Sequence, residues 1–221
     1  MWKVVAGICT PMSRYLSGPN TETRYSADQG YLLEMIRNRR TVRRFKSTPV
    51  PKEHLMKILE AAHFAASAGN QQPWRFLVIQ DKARLARLKE EALIWALEAY
   101  KEQMKPTPEE LDKAREATSK YLEGVLSAPV YVAVLVDAKA KYPDFIIYDG
   151  TLAAGNLMIA ARALGYGTGF FTFLPEAKVK AFFTIPDQYK LICFTPVGVP
   201  EEWPPMPPKK SLDELVVFEK F

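Results

Sequence analysis

The stretch Arg39-Arg40-Thr41-Val42-Arg43-Arg44-Phe45 places four guanidiniums and one hydroxyl within six residues. A guanidinium is a planar fork that grips phosphate through paired hydrogen bonds, and it stays charged at any working pH. Alone, such a basic stretch reads as a solvated turn. Two other stretches accompany it. Ser67-Ala68-Gly69-Asn70-Gln71-Gln72-Pro73-Trp74-Arg75-Phe76 lies one helix further on, and the proline-rich tail 199–210 closes on Lys209-Lys210.

Other chemistries find little support. There is no Ser–His–Asp set, no pair of acids and no phosphate loop. Gly165-x-Gly167-x-Gly169 lacks the dinucleotide spacing and follows a helix instead of opening one. Cys9 and Cys193 are too few for a disulfide framework, and His54 and His63 sit nine apart on one helix, so no metal site is expected. The net charge of +5 is concentrated at the front: residues 1–50 hold nine Lys/Arg against three Asp/Glu, and the remainder holds 21 against 22. A nucleic-acid interface needs phosphate contacts spread over a face, so that partner is not expected. The opening nine residues are weakly apolar but far short of a membrane span, and the expectation is a soluble, cytoplasmic protein.

The elements that must position these residues follow from periodicity. A helix over 28–38 carries Tyr31, Leu32, Met35 and Ile36 and delivers the Arg cluster at its end. Pro51 is expected as the first residue of the next helix, whose stripe is Leu55, Ile58, Leu59, Ala62 and Ala66. Residues 74–79 read as a buried strand. Residues 82–104 form a charged helix with the stripe Leu85, Leu88, Ala92, Trp95 and Ala99, and a second charged helix runs from about 109 to 126. Residues 129–136 are apolar on both faces, as a central strand should be. The helix 144–164 is apolar nearly all round, which predicts burial on every side and suits a dimer core. Gly165 is its expected C-cap. A strand at 168–173, a helix at 175–183, a strand at 190–198 and a terminal strand at 212–218 complete a sheet with helices on both faces. Residues 1–27 are expected to be an arm, and 28–221 a single domain.

Together the three stretches resemble the FMN-dependent nitroreductase superfamily, from about Leu32 to Val217. The resemblance implies an α+β fold, a three-layer α/β/α sandwich around a mixed, mostly antiparallel sheet, assembled as an intertwined homodimer with FMN at the interface. The family pattern Arg-(Arg/His)-Ser-x-(Arg/Lys)-x-Phe matches at Arg39, Arg40, Thr41, Arg43 and Phe45. By that match Arg39, Arg40 and Thr41 hold phosphate and ribityl oxygens, and Arg43 sits by N1 and the C2 carbonyl. The pattern Pro-Ser-x-x-Asn-x-Gln-Pro-Trp matches at Ser67, Asn70, Gln72, Pro73 and Trp74, with Ala66 in place of the Pro. It implies that Ser67 reaches the other subunit's flavin while Asn70 contacts its own. Phe170, Phe171 and Thr172 would line the flavin edge, with Thr172 near N5, and Lys209 or else Lys210 would return to the phosphate.

The implied activity takes hydride from NAD(P)H and passes it to a nitroaromatic, quinone or activated alkene in a ping-pong cycle. The substrate side would involve Gly69 and a helical lid over about 82–127 carrying Trp95, Tyr100 and Tyr121. Alternatives inside the family are a reductive dehalogenase of the iodotyrosine type and a flavin-fragmenting dimethylbenzimidazole synthase. The first would need a Glu–Tyr–Lys trio that does not fall at the family's spacing between Glu90 and Tyr121. Outside the family, an anion-binding module built on the Arg cluster is the rival.

Overall fold

Alternation along one strand decides the architecture. In β2 (Val130–Asp137), Tyr131, Ala133 and Leu135 enter one apolar cluster, while Val130, Val132, Val134 and Val136 enter another. A strand that buries both faces must lie inside a covered sheet. The computed structural model, which describes residues 27–220, puts it there. The sheet order is β1 (Trp74–Ile79), β2, β4 (Tyr189–Gly198), β3 (Gly167–Thr168), and each pairing is antiparallel. A parallel bridge between Thr41 and Thr168 makes the β3 edge mixed.

The chain falls into two compact units, Met1–Glu34 and Met35–Phe221. Of the first, residues 27–34 are described, as the opening of α1 (Ala27–Asn38). The arm expected over 1–27 lies outside the described residues but for Ala27. In the second unit, α2 (Lys52–His63) and α5 (Ile146–Ala163) cover one sheet face through Leu55, Ile58, Ala62, Ala154, Leu157 and Ala161. The other face is covered by α3 (Lys82–Met104), α4 (Pro108–Val125) and α6 (Glu176–Phe183), through Leu88, Ala92, Trp95, Leu122, Val125 and Val179. These are the three layers of an α/β/α sandwich.

Local chemistry sets the helix ends. The Asp81 carboxylate accepts from Arg84 N at 2.7 Å and starts α3. Thr107 and Glu110 form a reciprocal capping box for α4, with Pro108 at the first helical position. Gly165, at φ +84°, ends α5 in the left-handed region, and Tyr166 N closes the turn on Ala161 O at 2.8 Å. Among the described residues no helix is long and apolar enough to cross a membrane.

The structure corrects three expectations. Residues 212–218 are not a strand: Leu215 N and Val216 N both return to Leu212 O, and the Ser211 hydroxyl and amide donate to Glu214, giving a helical turn. Among the described residues no strand or bridge pairs with them. Within one chain helix α5 buries Ile146, Ala153, Ala154, Leu157 and Ala161 and leaves Ile147, Tyr148 and Leu152 exposed, so a single copy covers one of its faces. The strand expected at 168–173 is two residues of β3 followed by one bridge, Phe171 to Phe194. The interruption is at Gly169, where the Phe171 ring folds back to within 2.5 Å of a would-be Cβ. Pro51 is the N-cap of α2, with Lys52 its first residue.

Candidate functional site

The Arg cluster is extended backbone nailed down by its apolar residues. Val42 and Phe45 enter the core beneath α3 and α4, while Arg43 and Arg44 stay exposed. Burying that pair contributes about 1.5–3 kcal/mol per side chain. The backbone is tied from several directions. Val42 N donates to Thr168 O at 2.8 Å, Lys46 N donates to Val199 O at 2.9 Å, and Glu201 N donates to Arg44 O at 3.1 Å. Ser127 adds a bridge: its hydroxyl accepts from Phe45 N at 3.0 Å and donates to Gly124 O at 2.6 Å. Gly167 permits this packing, because a Cβ there would lie 2.6 Å from Val42 Cγ2 and 2.8 Å from Pro200 Cγ.

Within the cluster the four guanidiniums differ. Arg40 Nη1 donates to Arg37 O at 2.8 Å and to Arg39 O at 2.9 Å, so it closes the carbonyl end of α1. Its Nε is buried with no hydrogen-bond partner. Arg39 and Thr41 are half-buried, and Thr41 stands at the bridge to Thr168. Among the described residues neither Arg39, Arg40, Arg43, Arg44 nor Lys209 and Lys210 meets a carboxylate in an ion pair. A cation cluster without internal counter-charge, holding one orphaned buried donor, is suited to an anion.

The second stretch is organised by a residue the sequence reading missed. Asp149 is 3% exposed; its Oδ1 accepts from Ala68 N at 3.0 Å and its Oδ2 from Gln71 Nε2 at 2.7 Å. Gln71 in turn holds Tyr142 from both sides, accepting from its N at 2.7 Å and donating to its O at 3.1 Å. The available signal was a lone acid in the apolar run Ile146-Ile147-Tyr148-Asp149-Gly150. The loop so pinned turns sharply, with Gly69, Asn70 and Gln72 all at positive φ. A side chain at Gly69 would collide with the Tyr142 ring. Ser67 Oγ accepts from Gln72 N at 3.1 Å, and Gln72 Nε2 donates to Asn70 Oδ1 at 3.2 Å. Gly69 and Asn70 are exposed, Ser67 and Gln72 half-buried.

Phe170 and Thr172 are exposed beside β4, but the Phe171 ring is core. Trp95, expected on the lid, is also core: it is 6% exposed and meets Phe182 edge-on with centroids 6.3 Å apart. The helical pair is therefore anchored at its base by apolar packing. Tyr100 is half-buried near the far end of α3. Tyr121 is exposed on α4 and packs edge-on against Phe173 at 5.6 Å, a contact the sequence did not show. Lys209 and Lys210 are exposed on the tail.

The sheet separates these groups. Trp74 pairs with Val136, six residues along β2 from Val130, and Val130 and Thr168 both pair with Val197. At about 3.3 Å per residue and about 4.8 Å per strand, the loop before Trp74 lies ~20 Å along and ~14 Å across from Thr168, with Thr41 one spacing further. One chain thus joins Arg39–Arg43 with Phe170–Thr172 at one corner. Ser67, Gly69, Asn70 and Gln72 stand at the diagonally opposite corner. A groove of about 1020 Å³ runs beside that second corner, lined by α2 from Lys52 to His63 and by Gln72, Trp74, Arg75 and Phe76.

Known proteins share these elements. The family model described as "Nitroreductase family" matches residues 36–199. The 5,6-dimethylbenzimidazole synthase of Rhodospirillum rubrum is 31% identical over 183 residues, 79% of this chain and 84% of that protein. A putative NADH dehydrogenase/NAD(P)H nitroreductase of Archaeoglobus fulgidus is 31% identical over 176 residues, 77% of this chain and 86% of that protein. A crystal structure of oxidized iodotyrosine deiodinase bound to FMN and 3-iodo-L-tyrosine superposes with a TM-score of 0.70 at 28% identity, covering 86% of this chain and 100% of that one. The matched span takes in the Arg cluster, the Asp149-pinned loop and every strand of the sheet, and the chain belongs to the Nitroreductase family.

Proposed function

We propose that this protein is an FMN-dependent oxidoreductase that uses NAD(P)H to reduce an electron-poor acceptor, a nitroaromatic, quinone or activated alkene. The observation that carries the reading is the cation cluster without internal counter-charge, tied to β3 at Thr168 just ahead of the Phe170–Thr172 strip. FMN fits that arrangement: Arg39, Thr41 and the orphaned Arg40 Nε would take the phosphate end, and Lys209 or Lys210 would add a cation from the tail. Arg43 would set its charge against the pyrimidine edge, where reduction concentrates negative charge. Thr172 would supply a hydroxyl near the reacting nitrogen. When bound, FMN supplies the two-electron chemistry, and the protein supplies orientation and electrostatics.

The same reading makes the site a shared one. The opposite corners replace the expected split, in which Asn70 contacts its own chain's flavin: Ser67, Asn70 and Gln72 together serve a flavin held by Arg39–Arg43 only when a second copy brings its loop to that corner. Exposed Ile147, Tyr148 and Leu152 on α5, with Leu212, Leu215, Val217 and Phe218 on the tail, offer apolar surface for a homodimer. The helices 82–127 act in this reading as a lid hinged on a fixed base, with Tyr121 and Phe173 at its inner edge.

Purification tests the cofactor directly. A yellow protein that releases FMN on heating, runs as a dimer on sedimentation and is bleached anaerobically by NADPH or NADH is expected. A colourless chain that binds no FMN would defeat the reading. Turnover of 3-iodo-L-tyrosine in place of nitroaromatics and quinones would move the activity to the dehalogenase branch.

A further inference from the structure

The proline-rich tail leaves the Arg cluster with one anchor and then runs free. Its start is tied by Lys46 N to Val199 O, by the Phe45–Pro200 bridge and by Glu201 N to Arg44 O. Beyond Glu201, among the described residues, no backbone hydrogen bond holds the chain before the turn that begins at Ser211. Between these points Trp203 lies flat over Arg162, with the guanidinium carbon 3.7 Å from the ring centroid.

Arg162 is unusual in its own right. It stands in the last turn of α5, and its Nε is buried with no hydrogen-bond partner. A buried N–H left unpaired is costly, so surroundings that favour a cation without an acceptor at Nε count for more here. The negative face of the Trp203 indole lies against its guanidinium, and its place in the last turn sets it at the carbonyl end of α5; both favour a cation. Ring and helix end therefore fix each other.

The segment after Trp203 transmits that fixing. Pro204, Pro205, Pro207 and Pro208 restrict the backbone to extended conformations, at about 3.1 Å per residue and with little flexing. Lys209 is the sixth residue after Trp203, a reach of roughly 19 Å in that conformation. An unanchored segment of this kind would sweep its lysines over a wide arc. One anchored at its base delivers them to a small volume.

We propose that the Arg162–Trp203 stack aims the tail, making both positioning residues that act on the flavin phosphate through Lys209 and Lys210. This rests on the reading that those lysines meet FMN. The test is a double-mutant cycle on the full chain, with the FMN dissociation constant read by fluorescence quenching. The proteins are wild type, Trp203→Ala, the pair Lys209→Ala with Lys210→Ala, all three changes together, and Trp203→Tyr. Trp203→Ala should weaken FMN about tenfold, within the range seen for coupled residues, and the triple variant should be no weaker than the lysine pair. Trp203→Tyr, which keeps an aromatic face, should stay within about threefold of wild type. Independent losses that multiply in the triple variant, or a Trp203→Ala chain that binds FMN as wild type does, would overturn the proposal. A wild-type chain that binds no FMN would instead defeat the flavin reading beneath it.

Discussion

Replacing Asp149 by Asn tests how the loop Ser67–Gln72 is held. The carboxylate serves two donors at once, Ala68 N and Gln71 Nε2. An Asn amide has one oxygen, so one of these donors must face an NH₂ group. Gln71 cannot simply flip to relieve this, because its own oxygen is committed to Tyr142 N and its nitrogen also serves Tyr142 O. The substitution thus removes one charge-assisted bond, worth about 1.5–3 kcal/mol, and sets donor against donor. Gln71 is only half-buried, so water recovers part of the loss, and about 2 kcal/mol is the expected cost. For a chain of this length that lowers the melting midpoint by about 4–8 °C. Calorimetry measures the shift, and amide exchange at Ala68 should accelerate with it. The exposed Asp144→Asn serves as control and should change stability by less than about 0.5 kcal/mol. An Asp149→Asn protein that melts with wild type and protects Ala68 as well would refute the account of this loop.

Two further outcomes separate packing from chemistry. Trp95→Ala should cost about 3–5 kcal/mol, as loss of a buried aromatic does, and should reduce every activity in step with folded fraction. Tyr121→Ala, at an exposed ring, should leave the denaturation midpoint nearly unchanged yet alter the ratio of nitroaromatic to quinone turnover; an unchanged ratio would remove Tyr121 from the lid. Burial pushes the Cys193 thiol up to about 12. The unfolded thiol ionises near its ordinary value and the folded one does not, so the native state holds the extra proton and stability falls as pH rises from about 9 towards 12. Denaturant melts across that range should show a shallower fall in Cys193→Ala, and a slope identical to wild type would contradict the assignment.

Much of the fold was written in local pattern. The double alternation of Val130–Val136 required a covered central strand, and the Pro106–Pro108 break with the Thr107 cap separated α3 from α4. Gly165 ended α5 because only a residue tolerant of positive φ closes that turn cheaply. The Arg cluster and the Ser67–Trp74 loop could be recognised because each is contiguous in sequence. What they did in space could not. Leu212–Phe218 has alternation suited to a strand, but a strand forms only where another strand pairs with it, and among the described residues none does. Trp95 and Tyr121 look alike as aromatics on charged helices; α6 covers the first and leaves the second exposed. Asp149 gained its role from a loop 81 residues away, and Ser127 from Phe45, 82 residues away. Sequence determined which side chains this protein has available for an anion and a hydride carrier. The sheet order alone decided that the two motifs stand at opposite corners, because neighbours in a sheet are set by pairing across the whole chain and not by closeness along it.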